Sequence, residues 1–147
     1  MQPNRSGSSK VLLHEPRLAG CYTVTLTHSG GSFPYKSIPE VVELTTNDSP
    51  RCCGPGAGWY SVGWNEDSRA DFLGGQWSEA TNGSVHVTFG HGGILTFRLR
   101  RAGMRLVGSA TNDAPNRGHD KVHPPVTLSP TSCQGRKFRY EPAFSGY

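Results

Sequence analysis

The sequence lacks long stretches in which a helix could form. Glycine contributes 19 and proline 11 of the 147 residues, and the longest runs free of both are residues 40–49 and 64–73. Because a glycine costs a helix about 1 kcal/mol and a proline about 3 kcal/mol, helical bundles and doubly wound α/β folds are excluded. The chain also lacks any run approaching the roughly 20 apolar residues that a helix needs to cross a bilayer, so we expect no membrane span.

The N-terminal segment lacks the apolar core of a secretory signal. Residues 1–10 are polar, and the first apolar run after them consists only of Val11, Leu12 and Leu13. A signal peptide needs about 7 to 15 apolar residues. The sequence as given therefore favours a cytoplasmic protein, with a secreted or periplasmic location as the alternative if a leader has been removed.

Familiar catalytic and metal-binding motifs are also missing. The sequence contains no G-x-S-x-G, P-loop or H-E-x-x-H pattern. Its four cysteines include no C-x-x-C pair, and the adjacent Cys52 and Cys53 suit a tetrahedral zinc site poorly. His119, Asp120 and His123 lie close together, but in a segment rich in proline and glycine where no helix holds both imidazoles on one face. We therefore expect no metal ion and no cofactor.

What the sequence does contain is an alternation of apolar and polar residues with a period of two. This pattern is typical of half-buried β-strands, and here it recurs in eight short blocks separated by turn residues. The blocks cover residues 21–27, 40–46, 59–64, 72–79, 84–89, 94–100, 104–111 and 126–129. The fourth block is interrupted by Gly74 and Gly75, which indicates a bulge. The spacing of the blocks predicts an all-β protein.

The later blocks predict a defined register. A three-residue loop at residues 91–93 would place Phe89 opposite Leu95, so that the apolar residues of both strands share one face. In the seventh block the alternation directs four residues inward, after a turn at residues 101–103: Met104, Leu106, Gly108 and Ala110.

Eight sequential strands favour an eight-stranded antiparallel up-and-down barrel, because closure removes the exposed edges of an open sheet. A two-sheet β-sandwich is the alternative. We divide the chain into an N-terminal extension (1–18), a β-barrel domain (19–133) and a C-terminal tail (134–147). A barrel of this size can be filled by side chains or can hold one small ligand.

Barrel closure brings two of the cysteines together. The first and last strands must pair, which places Cys21 and Cys133 at the same end of the barrel. A disulfide between them would stabilise the fold by about 4 to 5 kcal/mol in the chain-entropy model. Two reduced thiols are the alternative, as expected for a cytosolic protein.

The inward-facing residues define a candidate ligand cavity. On the seventh strand only small residues follow towards one end of the barrel, and this leaves room inside. We expect a small apolar ligand in a cavity lined by Leu26, Tyr60, Val62, Trp64, Val87, Phe89, Leu95, Phe97, Gly108 and Ala110. A solidly packed barrel without a cavity is the alternative.

A second class of function is catalysis, for example by a cyclase or isomerase that folds an apolar substrate in a dry cavity. In an up-and-down barrel the loops after strands one, three, five and seven meet at one mouth, where titratable groups collect. Asp71, His91 and His119 are the candidate catalytic residues there. Nothing in the sequence distinguishes them from solvated loop residues, so a binding protein is the leading hypothesis.

A third class of function is an interaction module that uses a dense basic patch formed by Arg98, Arg100, Arg101 and Arg105. Nucleic-acid binding would require aromatic platforms beside this patch. The neighbouring Phe97 is predicted to point inward, and the net charge is only +4. The sequence therefore argues against nucleic acid as a partner, and it carries no signal for an oligomeric state.

The tripeptide Gly20-Cys21-Tyr22 resembles the Gly-x-Trp element of the lipocalin-like group of the calycin superfamily, with tyrosine in place of tryptophan. In that group the ring closes one end of the barrel, and an arginine late in the chain stacks on it. Arg136 and Arg139 are the positional matches to that arginine, while the Thr-Asp-Tyr element of long lipocalins is absent. The resemblance spans residues 19–133. The opening Gly20-Cys21-Tyr22 and the closing Cys133 also resemble the corresponding parts of short bacterial barrel proteins. It implies a barrel that binds a small apolar molecule.

Overall fold

The computed structural model describes residues 18–27, 38–49, 58–68, 74–90, 95–112 and 123–140. Within these ranges the chain forms β-strands and no helix. The strands are β1 (Gly20–Leu26), β2 (Val41–Asp48), β3 (Tyr60–Asn65), β4 (Gly75–Glu79), β5 (Val85–Phe89), β6 (Leu95–Ala102), β7 (Arg105–Asn112), β8 (Pro125–Thr131) and β9 (Phe138–Arg139). The predicted all-β class is confirmed.

The strands β1 to β8 close into a barrel. Each pairs antiparallel with its neighbours in sequence, and β1 pairs with β8 to complete the ring. The short β9 adds to the β3 edge at Trp64 and Asn65, whereas β4 pairs with β3 at Tyr60 and Ser61. The predicted eight-stranded antiparallel barrel is confirmed, and the alternative of a two-sheet sandwich is wrong.

The inner faces of the strands form the core that the alternation predicts. Phe89 lies opposite Leu95, as the predicted hairpin requires, although residues 91–94 between them lie outside the described residues. Burying one large apolar side chain completely contributes roughly 1.5 to 3 kcal/mol. The interior residues exposed by 3% or less are Val42, Leu44, Val62, Trp64, Trp77, Val85, Val87, Phe89, Leu95, Phe97, Leu99, Leu106, Ala110, Val126 and Leu128.

An irregularity in β2 shapes both sides of the barrel wall. The register of β2 with β3 shifts between Leu44 and Asp48. Within the shifted segment, the Thr45 hydroxyl donates to the Ser61 carbonyl at 2.8 Å and lies 2.7 Å from the Ser61 Oγ. The Thr45 carbonyl accepts the indole N–H of Trp77, also at 2.8 Å. The bulge therefore supplies a hydrogen-bond acceptor for a tryptophan that is buried in the core.

The β6–β7 turn lies further along the chain than predicted. The ladder continues to the pair Ala102↔Arg105, and Gly103 adopts a φ of 65°, which suits a tight turn. Met104 therefore lies at the tip of the hairpin and is 82% exposed. The prediction that Met104 points inward is wrong, because the turn comes where glycine permits the left-handed conformation.

The fourth strand also differs from its prediction. β4 begins at Gly75 and pairs regularly with β5, so the bulge expected there is absent from the described part of the strand. A Cβ on Gly75 would lie 3.0 Å from the Phe89 Cδ1 atom. The glycine makes room for this aromatic ring of the core.

Candidate functional site

The ten residues predicted to line a cavity fall into three groups. Leu26 and Tyr60 are partly buried and pack against the hydrophobic core, whereas Gly108 is exposed. The other seven are at most 3% exposed and belong to that core: Val62, Trp64, Val87, Phe89, Leu95, Phe97 and Ala110. The barrel thus brings together nearly the whole predicted set.

Bulky side chains occupy the middle of the barrel. Phe89 meets Trp64 and Phe97 edge to face, with ring centroids 6.5 Å and 5.7 Å apart. Trp77 is fully buried, and its ring lies 5.4 Å from that of Tyr60. The sequence prediction missed Trp77, because the two glycines before it obscured the alternation in the fourth block.

Gly108 does not provide empty space, contrary to the prediction. A Cβ on this residue would clash with the carbonyl oxygen of Arg98 and lie 2.9 Å from the Leu99 Cα. Both residues belong to β6, which pairs with β7. A glycine is required here because two backbones approach closely. The small residue that does lie in the core on β7 is Ala110.

The three candidate catalytic residues, Asp71, His91 and His119, lie outside the described residues. Cys52 and Cys53 do so as well. The hypothesis of a catalytic mouth therefore stays a prediction.

Cys21 and Cys133 form the predicted disulfide. Their Cα atoms are 5.4 Å apart, and the two residues are separated by 112 positions in the sequence. The Glu43 carboxylate lies near both sulfur atoms. Because both sulfurs are engaged in the disulfide, neither is a thiolate that could ligate a metal ion, and Glu43 alone does not make a metal site.

After the disulfide, residues 132–140 form a segment that we name the strap. The Arg136 N–H donates to the Cys133 carbonyl at 3.1 Å and closes a turn. The Glu66 N–H donates to the Lys137 carbonyl at 2.9 Å, and the Arg139 guanidinium donates to the Glu66 carbonyl at 2.8 Å. The strap is thus fixed to β1 by the disulfide and to the end of β3 by β9. Since β2 lies between these strands, the strap spans β2.

One row of paired residues carries the contacts of the strap. Cys21 on β1 lies opposite Glu43 on β2, which in turn lies opposite Gly63 on β3. Cys133 is bonded to Cys21. The Tyr140 hydroxyl donates to Glu43 Oε1, and its ring covers Gly63. The strap therefore contacts three successive strands on the outer face of the barrel.

The surroundings of the Tyr140 phenol favour its protonated form. Partial burial, the hydrogen bond to Glu43 and the negative charge of that carboxylate raise the pKa of Tyr140 to about 12. A phenolate at this position would lie beside a second anion, which is unfavourable. At neutral pH, Tyr140 is therefore the donor and Glu43 the acceptor.

An open cleft of about 630 Å³ lies beside this contact. Thr45 and Ser61, whose side chains are hydrogen-bonded to each other, are buried in its lining. Glu43 and Asp48 contribute carboxylates, Tyr140 contributes an aromatic ring, and none of the described residues that line the cleft is a lysine, arginine or histidine. We refer to this site as the outer cleft. Sequence alternation could not reveal it, because a strand bulge and the distant strap create it together.

A second cleft of about 410 Å³ lies at the end of the barrel where β1 begins. The Tyr22 hydroxyl donates to the Leu18 carbonyl at 2.7 Å, and Tyr22 belongs to the core. Burial raises the pKa of Tyr22, an effect that the nearby Arg101 partly offsets. Tyr22 therefore packs its ring into the core at this end of the barrel. The Arg136 guanidinium donates to the Ser132 carbonyl and to the Thr131 hydroxyl, and the Arg139 guanidinium donates to the Glu66 carbonyl.

The described residues define the class of this protein as a closed eight-stranded antiparallel β-barrel, an architecture compatible with a lipocalin-like fold. Comparisons with protein-family models, curated proteins and solved structures found no match to this chain. Among the residues that the structure describes, no helix is long and apolar enough to cross a membrane.

Proposed function

We propose that this protein binds a small polar molecule in the outer cleft. The observation that supports the proposal best is the contact between Tyr140 and Glu43, which come from positions 97 apart in the sequence. The contact fixes an aromatic ring and a carboxylate at the edge of a cleft whose floor contains buried hydroxyl groups. An aromatic body with a few convergent polar groups is typical of small-molecule sites.

The charge of the outer cleft indicates the chemistry of its ligand. Glu43 and Asp48 are acidic, and the described part of the chain places no basic residue in the lining of the site. The Tyr140 residue is 46% exposed, which leaves its aromatic ring accessible to a cation near its face. A carboxylate and an aromatic face together favour an ammonium group, and the Thr46 and Asn47 side chains suit a polar remainder. We therefore propose a small ligand that carries a positively charged nitrogen.

Choline and its uncharged isostere 3,3-dimethylbutan-1-ol test this proposal. We expect calorimetric titration to detect binding of choline and weaker or no binding of the isostere. Glu43→Gln should weaken choline binding by about tenfold, as expected for the loss of one attraction between opposite charges worth about 1.4 kcal/mol. Glu79→Gln, which removes the same charge outside the cleft, should leave it unchanged. Equal binding of both compounds, or equal effects of the two variants, would overturn the proposal.

A second candidate function is binding of a small apolar molecule, as the lipocalin-like resemblance implies. The site would lie at the end of the barrel opposite the second cleft. Val24, Leu26 and Ile38 support it, because they pack against the core but are only partly buried. Val24 and Leu26 lie towards the end of β1, beyond Tyr22. An apolar ligand there would cover these side chains and rest on the packed aromatic core. On this proposal the protein is a member of the lipocalin-like group with a shallow site.

A hydrophobic fluorescent probe tests the second candidate. Leu26→Asn should reduce the fluorescence enhancement of the probe, whereas Thr25→Asn should not, because Thr25 is exposed on the other face of the same strand. The reverse order of effects, or no enhancement with the unmodified protein, would reject an apolar site at this end.

A further inference from the structure

The described charges are segregated around the barrel. Every described acidic residue precedes β5, and every described lysine or arginine lies at or after position 98. The acidic residues are Glu40, Glu43, Asp48, Glu66, Asp67 and Glu79, and the basic residues are Arg98, Arg100, Arg101, Arg105, Arg136, Lys137 and Arg139. The half of the barrel formed by β5 to β8 is thus cationic over its described part.

The positive charge is concentrated on the β6–β7 hairpin. Arg98 and Arg100 are exposed on β6, on the face opposite the buried Phe97 and Leu99. Arg101 and Arg105 flank the tip of the hairpin. Together with the two exposed arginines of β6, they place four positive charges on residues 95–112, a segment without any acidic residue.

Little negative charge within the described residues balances these arginines. Arg101 forms an exposed ion pair with Glu79 at 3.3 Å, and an exposed pair of this kind adds little to stability. No described carboxylate pairs with Arg98, Arg100 or Arg105. The neighbouring residues on the outer face are neutral or basic: His86 lies opposite Arg98, and Val107 lies opposite Arg100. The patch is therefore available to an anionic partner.

The tip of the hairpin adds an apolar element. Met104 is 82% exposed and is flanked by two of the arginines, Arg101 and Arg105. All three residues line the second cleft, together with Leu18 and Tyr22. An apolar thioether flanked by guanidinium groups suits the boundary between lipid headgroups and acyl chains.

We propose that the β6–β7 hairpin docks on an anionic lipid bilayer, with Met104 entering the acyl boundary and with Arg101 and Arg105, which line the same cleft as Met104, facing lipid phosphates. Arg98 and Arg100 lie further along β6 and add to the positive charge that attracts the bilayer. Nucleic acid fits this surface less well, because Phe89 and Phe97 point into the core and leave no aromatic platform on the described outer faces of β5 to β7. This docking is independent of the outer cleft, whose lining on β1, β2, β3 and the strap includes no residue of the β6–β7 hairpin.

Cosedimentation with lipid vesicles tests the proposal. We expect binding to vesicles of phosphatidylcholine mixed with phosphatidylserine and no binding to phosphatidylcholine alone, with a decrease as salt is added. Arg105→Gln should weaken binding by about fivefold, the effect of one basic residue at an anionic surface. Lys137→Gln removes one exposed charge from the strap instead, and it should have a smaller effect. Met104→Ser should weaken binding by about tenfold.

Three outcomes would overturn the proposal. The first is equal binding to neutral and anionic vesicles. The second is an equal loss in Arg105→Gln and Lys137→Gln, which would indicate attraction by net charge alone. The third is tighter binding of a single-stranded oligonucleotide that displaces the vesicles, which would assign the patch to nucleic acid. Thermal melting of each variant, expected to match that of the unmodified protein, verifies that the substitutions leave the fold intact.

Discussion

The ring of Tyr140 occupies the space that a side chain at Gly63 would need. A Cβ on Gly63 would lie 2.5 Å from the Tyr140 Cε1 atom and 2.9 Å from its Cδ1 atom. Gly63 lies on the outer face of β3, between the buried Val62 and Trp64. The absence of a side chain at this position therefore allows the strap to lie flat against the barrel.

The first prediction follows from this relationship. Gly63→Ala should displace the Tyr140 ring and lower the free energy of unfolding by about 1 kcal/mol, at the low end of the range for overpacking. In a Tyr140→Ala background the same change should be neutral or stabilising by about 0.4 to 1 kcal/mol, because the alanine restricts the unfolded chain. Urea unfolding of the four proteins measures this coupling. Equal effects of Gly63→Ala in both backgrounds would contradict it.

The second prediction concerns alkaline pH. The pKa of Tyr140 is about 12 in the folded protein and about 10 in an unfolded chain. Since the folded pKa is the higher one, the Tyr140 contribution to stability is complete below pH 10 and is lost as the pH rises through about 12. The difference in tyrosinate absorbance between the unmodified protein and Tyr140→Phe should have its midpoint near pH 12.

Glu43→Gln provides the control for that titration. It removes the negative charge and the charged acceptor but leaves the burial of the phenol, so the midpoint of Tyr140 should fall towards 10 without reaching it. Glu79→Gln should not move the midpoint. A midpoint near 10 in the unmodified protein would show that the contact with Glu43 does not persist in solution.

The third prediction concerns the disulfide. Replacing Cys21 and Cys133 together with alanine should lower the free energy of unfolding by about 2 to 5 kcal/mol, because the bridge spans 112 positions. The same variant should loosen the strap, so that the midpoint of Tyr140 also falls. Urea unfolding with tyrosine titration measures both effects. Unchanged stability would indicate that the unfolded state keeps the two ends together without the bridge.

The fourth prediction concerns Trp77. Trp77→Phe should lower the free energy of unfolding by about 2 to 4 kcal/mol, because it leaves a cavity and removes the donor that satisfies the Thr45 carbonyl. Trp59→Phe should have a much smaller effect, since Trp59 is only partly buried. Similar destabilisation by the two substitutions would show that the hydrogen bond and packing of Trp77 contribute no more to stability than the contacts of Trp59.

Most of the barrel could be predicted from local patterns, whereas the candidate sites could not. Period-two alternation locates strands because it records which face is buried, and closure then implied the pairing of Cys21 with Cys133. The outer cleft depends instead on a register shift in β2 and on contacts of Tyr140 with distant strands. The position of Met104 depended on where Gly103 permits a turn. Such features arise from long-range packing and backbone geometry, which alternation does not encode.

The link between Cys21 and Cys133 makes the barrel a covalent ring of polypeptide. A single cut in any connection between two of the strands β1 to β8 would leave both fragments joined through the bridge. The two strands next to the cut would also stay hydrogen-bonded to the strands beside them in the barrel. A barrel cleaved once would therefore remain a single covalent molecule. The two fragments could separate only after the disulfide is reduced.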